Sequence, residues 1–314
     1  MSSEAINEGF YLKARDEKNI YIHQWLNAKE PRAVVLIFHG MAEHAGRYQP
    51  FADFLNNNGF IVYADDHRGH GKTAGTLDKL GYIGKDGYNR IVEDEHMLTA
   101  FIKEKHPDLP VFIFAHSFGS FIGQSYITNY GKDIAGIILS GSAARSGFEI
   151  LFGRVLTSLD RAVTGETKQS ILMNAVCFGT YNKRVTDSQS AFAWLSRDEN
   201  EVKKYEEDKF CGSVFTVNYF YYMFKGLKDL YARGVFNRIP EALPIYLMSG
   251  ADDPVGSYGK CVKKLFRKYR DANIKDLELK IYPGGRHEML NEINREEVYN
   301  NILNWLKLHM NKTL

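Results

Sequence analysis

Residues 111–119 read VFIFAHSFG, an apolar run that leads directly into a small-x-Ser-x-Gly motif. A short apolar run bounded by turn residues is typical of a strand that is covered on both faces of a parallel sheet. The residues after it follow a helical pattern up to Tyr130, and Gly131 is a suitable helix C-cap. A strand, a tight turn and a helix in this order predict that Ser117 is a nucleophile presented on a sharp turn.

The turn restricts the residues two positions before and after the serine, because large side chains there would collide with the neighbouring strand and helix. Gly119 meets this requirement, and Ala115 stands where the motif usually has its first glycine. The turn also places Ser117 at a helix N-terminus, where backbone N–H groups favour developing negative charge. The motif alone arises often by chance, so the strand and helix around it carry the prediction.

The alternation of strand and helix extends in both directions from this motif. Similar apolar runs that predict strands lie at residues 33–39, 60–65, 134–140, 245–248 and 277–282. Residues 88–102 and 298–306 carry apolar side chains at helical spacing, and residues 9–14 and 20–26 predict an opening hairpin. Strands that alternate with helices predict an α/β fold with a mostly parallel, doubly wound sheet.

Residues 143–239 interrupt this rhythm, because they contain no run that resembles a buried strand. Residues 148–159 are amphipathic, and residues 215–224 contain six aromatic side chains. This segment predicts a helical cap inserted into a core formed by residues 1–142 and 240–314. One aromatic face, with Phe215, Tyr219 and Tyr222, and a second face, with Phe220 and Phe224, are expected. Either one face packs on the core while the other lines the route to Ser117, or both only pack.

Composition excludes several classes of protein. The 40 Lys and Arg residues nearly balance the 38 Asp and Glu residues, so no nucleic-acid partner is predicted. Residues 1–4 lack the basic start of a signal peptide, and no apolar run approaches the ~18 residues of a membrane span. Three widely spaced cysteines fit a reduced compartment, which predicts a cytoplasmic protein. The sequence carries no signal for an oligomeric state.

The loop after the predicted strand at residues 33–39 is the expected source of an oxyanion hole. Gly40 allows the chain to turn so that the N–H of Met41 faces the site. The second N–H comes from Phe118, the residue after the nucleophile. His39 and His44 are better explained as side chains that hold this loop than as catalytic bases.

A catalytic acid is expected after a later strand, and residues 245–248 lead into such a loop. Asp252 and Asp253 compete for this role. Pro254 restricts the backbone of the residue before it, which favours Asp253 as the acid and leaves Asp252 as a surface or capping residue.

The base is expected last in the chain, after one more strand. Residues 277–282 provide that strand, and His287 lies in the loop that follows it. His309 belongs to the final helix instead. His287 would accept the proton of Ser117 and pass it to the leaving group, while Asp253 holds the imidazole in the required tautomer.

Two other segments resemble ligand-binding motifs but lack a residue that each motif requires. Thr73 ends a sequence that resembles a phosphate-binding loop, but Asp66 occupies the position of the required glycine. His287 would begin a zinc motif, but Asn291 stands where its second histidine should be. The sequence therefore predicts no metal and no organic cofactor.

Taken together, these motifs resemble the monoacylglycerol lipase and lysophospholipase family of α/β hydrolases. The resemblance covers nearly the whole chain and rests on residues 39–44 (HGMAEH), 46–48 (GRY), 66–71 (DHRGHG), 115–119 (AHSFG), 250–254 (GADDP) and 285–287 (GRH). It implies an α/β-hydrolase fold with a helical cap, and it implies the same triad and the same two oxyanion N–H donors.

The resulting hypothesis is a serine hydrolase that cleaves carboxylic esters through an acyl-enzyme. A small lipid-like ester, such as a monoacylglycerol or lysophospholipid, is the expected substrate, with transient contact between the cap and a lipid surface. Two alternatives stay open. One is an aminopeptidase-type amide hydrolase, which would require a carboxylate cluster to bind an α-amine. The other is a receptor of the same fold that binds a ligand with little turnover.

Overall fold

The structure, a computed structural model, describes residues 9–186 and 189–310. An eight-stranded sheet forms its centre, with the strand order β1-β2-β4-β3-β5-β6-β7-β8. The strands are β1 (Phe10–Lys13), β2 (Asn19–Trp25), β3 (Ala33–Phe38), β4 (Phe60–Asp65), β5 (Val111–His116), β6 (Gly136–Ser140), β7 (Ile245–Gly250) and β8 (Leu277–Tyr282). The predicted signal-free start, residues 1–4, lies outside the described residues.

Strand directions confirm the predicted doubly wound α/β sheet. The hairpin of β1 and β2 is antiparallel, and β2 also pairs antiparallel with β4. All pairs from β4 through β3, β5, β6 and β7 to β8 are parallel. The carboxyl ends of the parallel strands therefore meet along one edge of the sheet, where the loops after β3, β5, β7 and β8 lie together.

Helices cover both faces of the sheet. They are α1 (Gln49–Asn56), α2 (Gly71–Ala74), α3 (Gly87–Lys105), α4 (Phe118–Tyr130), α5 (Gly147–Thr164), α6 (Ile171–Phe178), α7 (Glu199–Glu207), α8 (Val217–Leu230), α9 (Lys260–Asp271) and α10 (Arg295–Met310). Alternate residues of each strand face opposite sides, and the central strands are buried on both faces, so they are apolar over most of their length, with polar residues such as Asp65 and Ser140 at their carboxyl ends. In β3, Val34 and Leu36 pack in the core beneath α3, α4 and α9, whereas Val35 and Ile37 pack beneath α1 and α10.

Gly131 occupies the C-cap of α4, as predicted, but for a different reason. Its φ is −59°, which is right-handed, so no left-handed turn requires glycine there. A Cβ at this position would lie 2.8 Å from Cδ of Pro240. The close approach of the two segments, and not the backbone conformation, requires glycine at the end of α4.

Helices α5 to α8 lie between β6 and β7, in the segment predicted to be a cap. Helix α5 begins with a capping box, in which Ser146 accepts from the N–H of Glu149 and the Glu149 carboxylate accepts from the N–H of Ser146. We keep the name cap for residues 143–239, and the division between core and cap stays a prediction. Within the described part of the chain, no helix is long and apolar enough to cross a membrane.

Candidate active site

Ser117 lies in the tight turn between β5 and α4. Its φ of 51° and ψ of −116° are strained for a residue with a side chain. The N–H of Ser117 donates to the carbonyl of Ser140 on the neighbouring strand, at 2.9 Å. Backbone strain of this kind is stored where the surrounding structure enforces it, and here it places the hydroxyl at the carboxyl edge of the sheet.

Close packing explains the small residues around this turn. A Cβ on Gly119 would lie 2.3 Å from the carbonyl oxygen of Phe38, so only glycine fits. Ala115 replaces the glycine usual in the motif, and its methyl group faces α4 at Gly123. A Cβ on Gly123 would lie 3.1 Å from Cβ of Ala115. Gly123 therefore provides the space that the extra methyl group occupies.

Asp253 and His287 are brought together from the loops after β7 and β8. Nδ1 of His287 donates to Oδ1 of Asp253 at 3.0 Å, and the same oxygen accepts from the N–H of Val255 at 2.8 Å. Asp253 is fully buried, whereas Asp252 is exposed to solvent. The geometry therefore joins Asp253, and not Asp252, to the histidine.

The pair is electrostatically coupled. Burial alone would lower the pKa of His287, but the Asp253 carboxylate raises it above the ordinary value of a histidine. Burial likewise opposes ionisation of Asp253, yet the imidazole and the Val255 N–H hold its pKa below the ordinary value. The arrangement favours a carboxylate beside an imidazole that can accept a second proton.

Ser117 and His287 line the same cavity. Nε2 of His287 is buried and has no hydrogen-bond partner among the described residues, so its bond to the Ser117 hydroxyl is not formed in this structure. Catalytic hydrogen bonds are often long without substrate and shorten in the reactive complex. The unpartnered nitrogen is therefore available to a group that enters the cavity.

The two backbone N–H groups predicted to form the oxyanion hole are free to donate to a group in the cavity. The N–H groups of Met41 and Phe118 donate to no other residue in the described part of the chain, and both residues line the cavity. A Cβ on Gly40 would lie 3.3 Å from Cβ of Ser117, which shows how closely the loop after β3 approaches the serine. His39 holds this loop by donating from Nδ1 to the carbonyl of Gly40 at 2.7 Å.

A buried charge network connects the loop after β3 to the loop after β8. Oε1 of Glu43 accepts from the N–H of Gly40 at 2.5 Å and from the hydroxyl of Tyr48 at 2.9 Å. Arg47 pairs with Glu43 at 2.5 Å and makes two bonds to Glu288, at 2.7 and 2.8 Å. Burial opposes ionisation of Glu288, but Arg47 lowers the pKa of Glu288 to about 2. We call Glu43, Arg47 and Glu288 the charge bridge.

This network is absent from the sequence-based site, although one of its members lies beside a predicted catalytic residue. Glu43 and Arg47 are four residues apart at a strand end, and Glu288 follows His287 directly. A pair of opposite charges at that spacing, next to the predicted oxyanion loop, could have indicated the ion pair between Glu43 and Arg47. No sequence pattern could have indicated the ion pair between Arg47 and Glu288, because these residues are 241 positions apart and only the folded chain brings them together.

The cap contacts both loops of the site. The Trp194 and Leu195 carbonyls accept from the N–H groups of His287 and Glu288, at 3.4 and 2.7 Å. The Trp194 ring lies 5.2 Å from the His287 ring. On the other side, the Tyr205 hydroxyl donates to the carbonyl of Ala42 at 2.8 Å. The cap therefore supports the site directly and does not merely cover it.

A cavity of about 750 Å³ lies between the cap and the edge of the sheet. Its wall is mainly apolar, with side chains from α4, α5, α6 and α8. The cap contributes, among others, Phe148, Phe152, Val176, Phe178, Met223, Phe224 and Leu227. Its size and its apolar wall suit a small molecule with a hydrocarbon portion.

The aromatic residues at 215–224, of which Phe215 precedes α8, divide in the way that one of the two alternatives expects, with one difference. Phe215 and Tyr219 pack on the core, at ring distances of 4.8 Å to His70 and 5.2 Å to Phe118. Phe224 lines the cavity, but Phe220, expected on the same face, is fully buried. Most of the aromatic cluster is therefore packing, and α5 supplies more of the cavity wall than the sequence suggested.

Two groups of side chains have the composition of a metal site among the described residues. They are His44, Asp208 and Cys211, and Asp65, His67 and Glu95, each with ligand atoms within 4.8 Å of one another. Nδ1 of His44 accepts from the N–H of Gly46, so its proton lies on Nε2 and is donated to Asp208 at 2.8 Å. Burial, followed by the nearby Asp65, raises the pKa of Glu95, which favours a proton shared between two carboxyl groups. A proton on His44 thus accounts for the contact in the first group, and a proton on Glu95 would reduce the negative charge of the second.

The chain is similar in sequence to one protein family and to proteins named as lipases. The family described as serine aminopeptidase, S33, matches residues 29–294. The monoacylglycerol lipase of Mycolicibacterium smegmatis is 27% identical over 299 residues, which cover 91% of this chain and 92% of that protein. The human monoglyceride lipase is 24% identical over 320 residues, covering 95% of this chain and 88% of that protein.

Solved structures include a thermostable carboxyl esterase from Bacillus coagulans in complex with glycerol. It superposes with a TM-score of 0.89 at 28% identity and covers 96% of this chain and 98% of its own.

Proposed function

Because the chain belongs to the serine aminopeptidase S33 family, in the α/β-hydrolase superfamily, we propose that it is a serine hydrolase of lipid-like carboxylic esters. The proposed nucleophile is Ser117, with His287 as general base and Asp253 as the acid that orients it. The names of the relatives, monoacylglycerol lipase and carboxyl esterase, support ester hydrolysis. The observation that carries the proposal is the buried hydrogen bond between Asp253 and His287.

The proposed reaction proceeds through an acyl-enzyme. Oγ of Ser117 attacks the ester carbonyl while Nε2 of His287 accepts its proton, and Asp253 stabilises the imidazolium. The carbonyl oxygen becomes an oxyanion that the N–H groups of Met41 and Phe118 stabilise. His287 then gives the proton to the leaving alkoxide. In the second half of the reaction, His287 accepts a proton from water while the water oxygen attacks the acyl-enzyme carbonyl. His287 then returns the proton to Oγ of Ser117, and the carboxylic acid is released.

The cavity supports a substrate with an acyl chain. Each methylene group buried on binding contributes up to ~0.8 kcal/mol, which corresponds to about a fourfold gain in kcat/KM. We expect kcat/KM to rise along a series of nitrophenyl esters until the cavity is filled. Phe224 packs against Gly153 in the cavity wall, so Phe224→Ala should move the optimum to longer chains. A flat response to chain length would indicate a short-chain esterase.

The cap surface supports transient contact with lipid. Helices α5 and α6 expose a group of large apolar side chains, namely Phe148, Leu151, Phe152, Val155, Leu159, Val163, Ile171, Leu172 and Val176. Apolar patches of this kind mark interaction surfaces, and Phe148 and Phe152 also line the cavity. We propose that substrate enters from a lipid phase at this surface, in a cytoplasmic protein whose three cysteines are free.

An amide hydrolase is the second candidate, because the family description names an aminopeptidase. Such an enzyme binds a substrate α-amine with a carboxylate. Among the described residues, three carboxylates line the cavity: Glu43 and Glu288 are paired with Arg47, and Glu149 caps α5. The geometry therefore favours the ester. A receptor with little turnover is disfavoured by the hydrogen-bonded Asp253 and His287.

The test compares a nitrophenyl ester, a monoacylglycerol and an aminoacyl nitroanilide with wild type and Ser117→Ala. We expect ester hydrolysis, with a loss on the order of 10⁵–10⁶ in kcat in the variant. A fluorophosphonate probe should label wild type and not the variant. Ester hydrolysis that persists in Ser117→Ala would contradict the assignment of the nucleophile, and faster turnover of the nitroanilide would favour the peptidase.

A further inference from the structure

Arg145 is a cation in the wall of an otherwise mainly apolar cavity. It follows β6 in the short segment that leads to α5, and its side chain is partly buried. Its guanidinium group lies 5.9 Å from the ring of Phe121, one turn after Ser117 in α4. A charge in such a place is costly unless it is paired, so its partner is informative.

Two other arginines with little exposure, Arg47 and Arg68, are paired with carboxylates. Arg47 contacts Glu43 and Glu288, and Arg68 contacts Asp16 and Asp94.

Arg145 differs from them, because no carboxylate in residues 9–186 and 189–310 lies within 4.0 Å of its guanidinium nitrogens. Burial lowers the pKa of Arg145, but Tyr181 and Glu149 raise it above the usual value, so the side chain stays charged. Glu149 is itself exposed, and its Oε2 accepts from the N–H of Ser146.

A chain of contacts links the Arg145 segment to the His287 side of the cavity. A Cβ on Gly141, four residues before Arg145, would lie 2.8 Å from Cε1 of His287. Burial raises the pKa of Tyr181, and the charge of Arg145 opposes this rise. The Tyr181 ring lies 4.8 Å from the Trp194 ring, and the Trp194 ring lies 5.2 Å from the His287 ring. Since His287 delivers its proton to the leaving alcohol, we expect the alcohol portion of an ester to lie on the side of the cavity that these contacts connect to Arg145.

From this placement we propose that Arg145 binds an anionic group on the alcohol portion of the substrate. The inference rests on the proposed ester hydrolysis and names its substrate class, an acyl ester of an alcohol that carries a phosphate or a carboxylate. A guanidinium group forms two parallel hydrogen bonds to either anion. The acyl chain then occupies the apolar part of the cavity that α5 and α8 line.

The experiment compares three octanoyl esters that differ only in the alcohol: glycerol, glycerol 3-phosphate and 3-hydroxypropionate. The measured quantity is the ratio of kcat/KM for each anionic ester to that for the glycerol ester. Wild type should prefer at least one anionic ester, and the phosphate and carboxylate arms show which anion fits. Arg145→Met should lower that ratio about 10- to 100-fold, mainly through KM, because a charged hydrogen bond is lost. Arg145→Lys should lower it less.

Arg184→Met is the matched control. Arg184 stacks on Tyr258 at 3.7 Å, outside the cavity wall that the described residues form, so the ratio should not change. Glycerol 3-phosphate should also inhibit wild type competitively and glycerol should not, which tests the subsite even if Arg145→Met fails to fold.

Two results would overturn the inference: a wild-type preference for the glycerol ester, or an Arg145→Met variant in which all three esters lose activity equally. Fluorophosphonate labelling of Ser117 separates this failure from failure of the proposed function. An enzyme that is labelled and hydrolyses esters without regard to charge lacks only the subsite.

Discussion

Replacing Arg47 by methionine should destabilise the protein and misplace both loops of the proposed site. Arg47 is the only cation in the charge bridge, and the side chains of Glu43 and Glu288 are only 4% and 7% exposed. Its removal leaves two buried carboxylates without a counter-charge. Breaking a buried ion pair costs ~3–5 kcal/mol, whereas an exposed pair contributes ~0–1 kcal/mol.

The cost should depend on pH. Arg47 holds the pKa of Glu288 at about 2, below its value in the unfolded chain, so this carboxylate adds stability at neutral pH that is lost as pH falls. Without Arg47, burial raises the pKa of Glu288, and the variant regains stability when Glu288 takes up a proton. The difference in stability between wild type and Arg47→Met should therefore be larger at pH 8 than at pH 5.

Urea unfolding at the two pH values measures this difference, and kcat on a soluble ester reports the site. We expect kcat to fall on the order of 10²-fold, because Glu43 holds the N–H of Gly40 beside the proposed oxyanion donor Met41. Arg161→Met is the matched control, since Arg161 pairs with Glu166 at the surface, with 38% and 36% exposure. The reasoning is refuted if Arg47→Met costs no more than this control and leaves kcat unchanged.

Three further predictions concern the proposed triad and the turn. Asp253→Asn should lower kcat roughly 10⁴-fold through the wrong histidine tautomer, and Asp252→Asn should change it little; the reverse order in steady-state kinetics would make Asp252 the acid. Because Asp253 raises the pKa of His287, the acid limb of kcat/KM should lie at higher pH than for an ordinary histidine. In Asp253→Asn this acid limb should move to lower pH, and the rate of fluorophosphonate labelling as a function of pH measures the shift. An unchanged acid limb would assign the titration to a group other than His287. Gly123→Ala should lower the melting temperature because its Cβ would lie 3.1 Å from Cβ of Ala115 and from Cδ1 of Ile137. Ala115→Gly should restore part of the loss; no rescue in the double variant would show that the two methyl groups do not compete.

Local sequence pattern predicted most of the fold. The apolar runs at residues 60–65 and 277–282 coincide with β4 and β8, and the run at 33–39 ends one residue after β3. The run of β4 is readable because a strand covered on both faces is apolar at nearly every position. Strand β8 lies at the edge of the sheet and is less buried, and it carries Glu278 and Lys280 between its apolar residues. The order of serine, aspartate and histidine after successive strands was readable for a related reason. Parallel strands end at one edge of the sheet, so residues in the loops that follow them converge.

The sequence alone could not decide between two residues or two roles that fit the same local pattern. The sequence favoured Asp253 over Asp252 through the neighbouring proline, but the hydrogen bond to His287 depends on how the loops after β7 and β8 face each other. The six aromatic residues at 215–224 could pack or line a cavity, and helical spacing does not distinguish the two. Only the position of α8 against α3, α4 and α5 shows that Phe224 reaches the cavity.

The sequence by itself determined the strands, the helices and the candidate chemistry, because these depend on side-chain periodicity and on residues close together in the chain. The tertiary structure alone decided which distant charges meet. Arg47 reaches Glu288 across 241 residues, whereas Arg145 reaches no carboxylate in the described chain. Whether each arginine meets a carboxylate depends on how the loops and the cap pack around the cavity. A charge held away from water is costly without a partner, and no local sequence pattern specifies that partner.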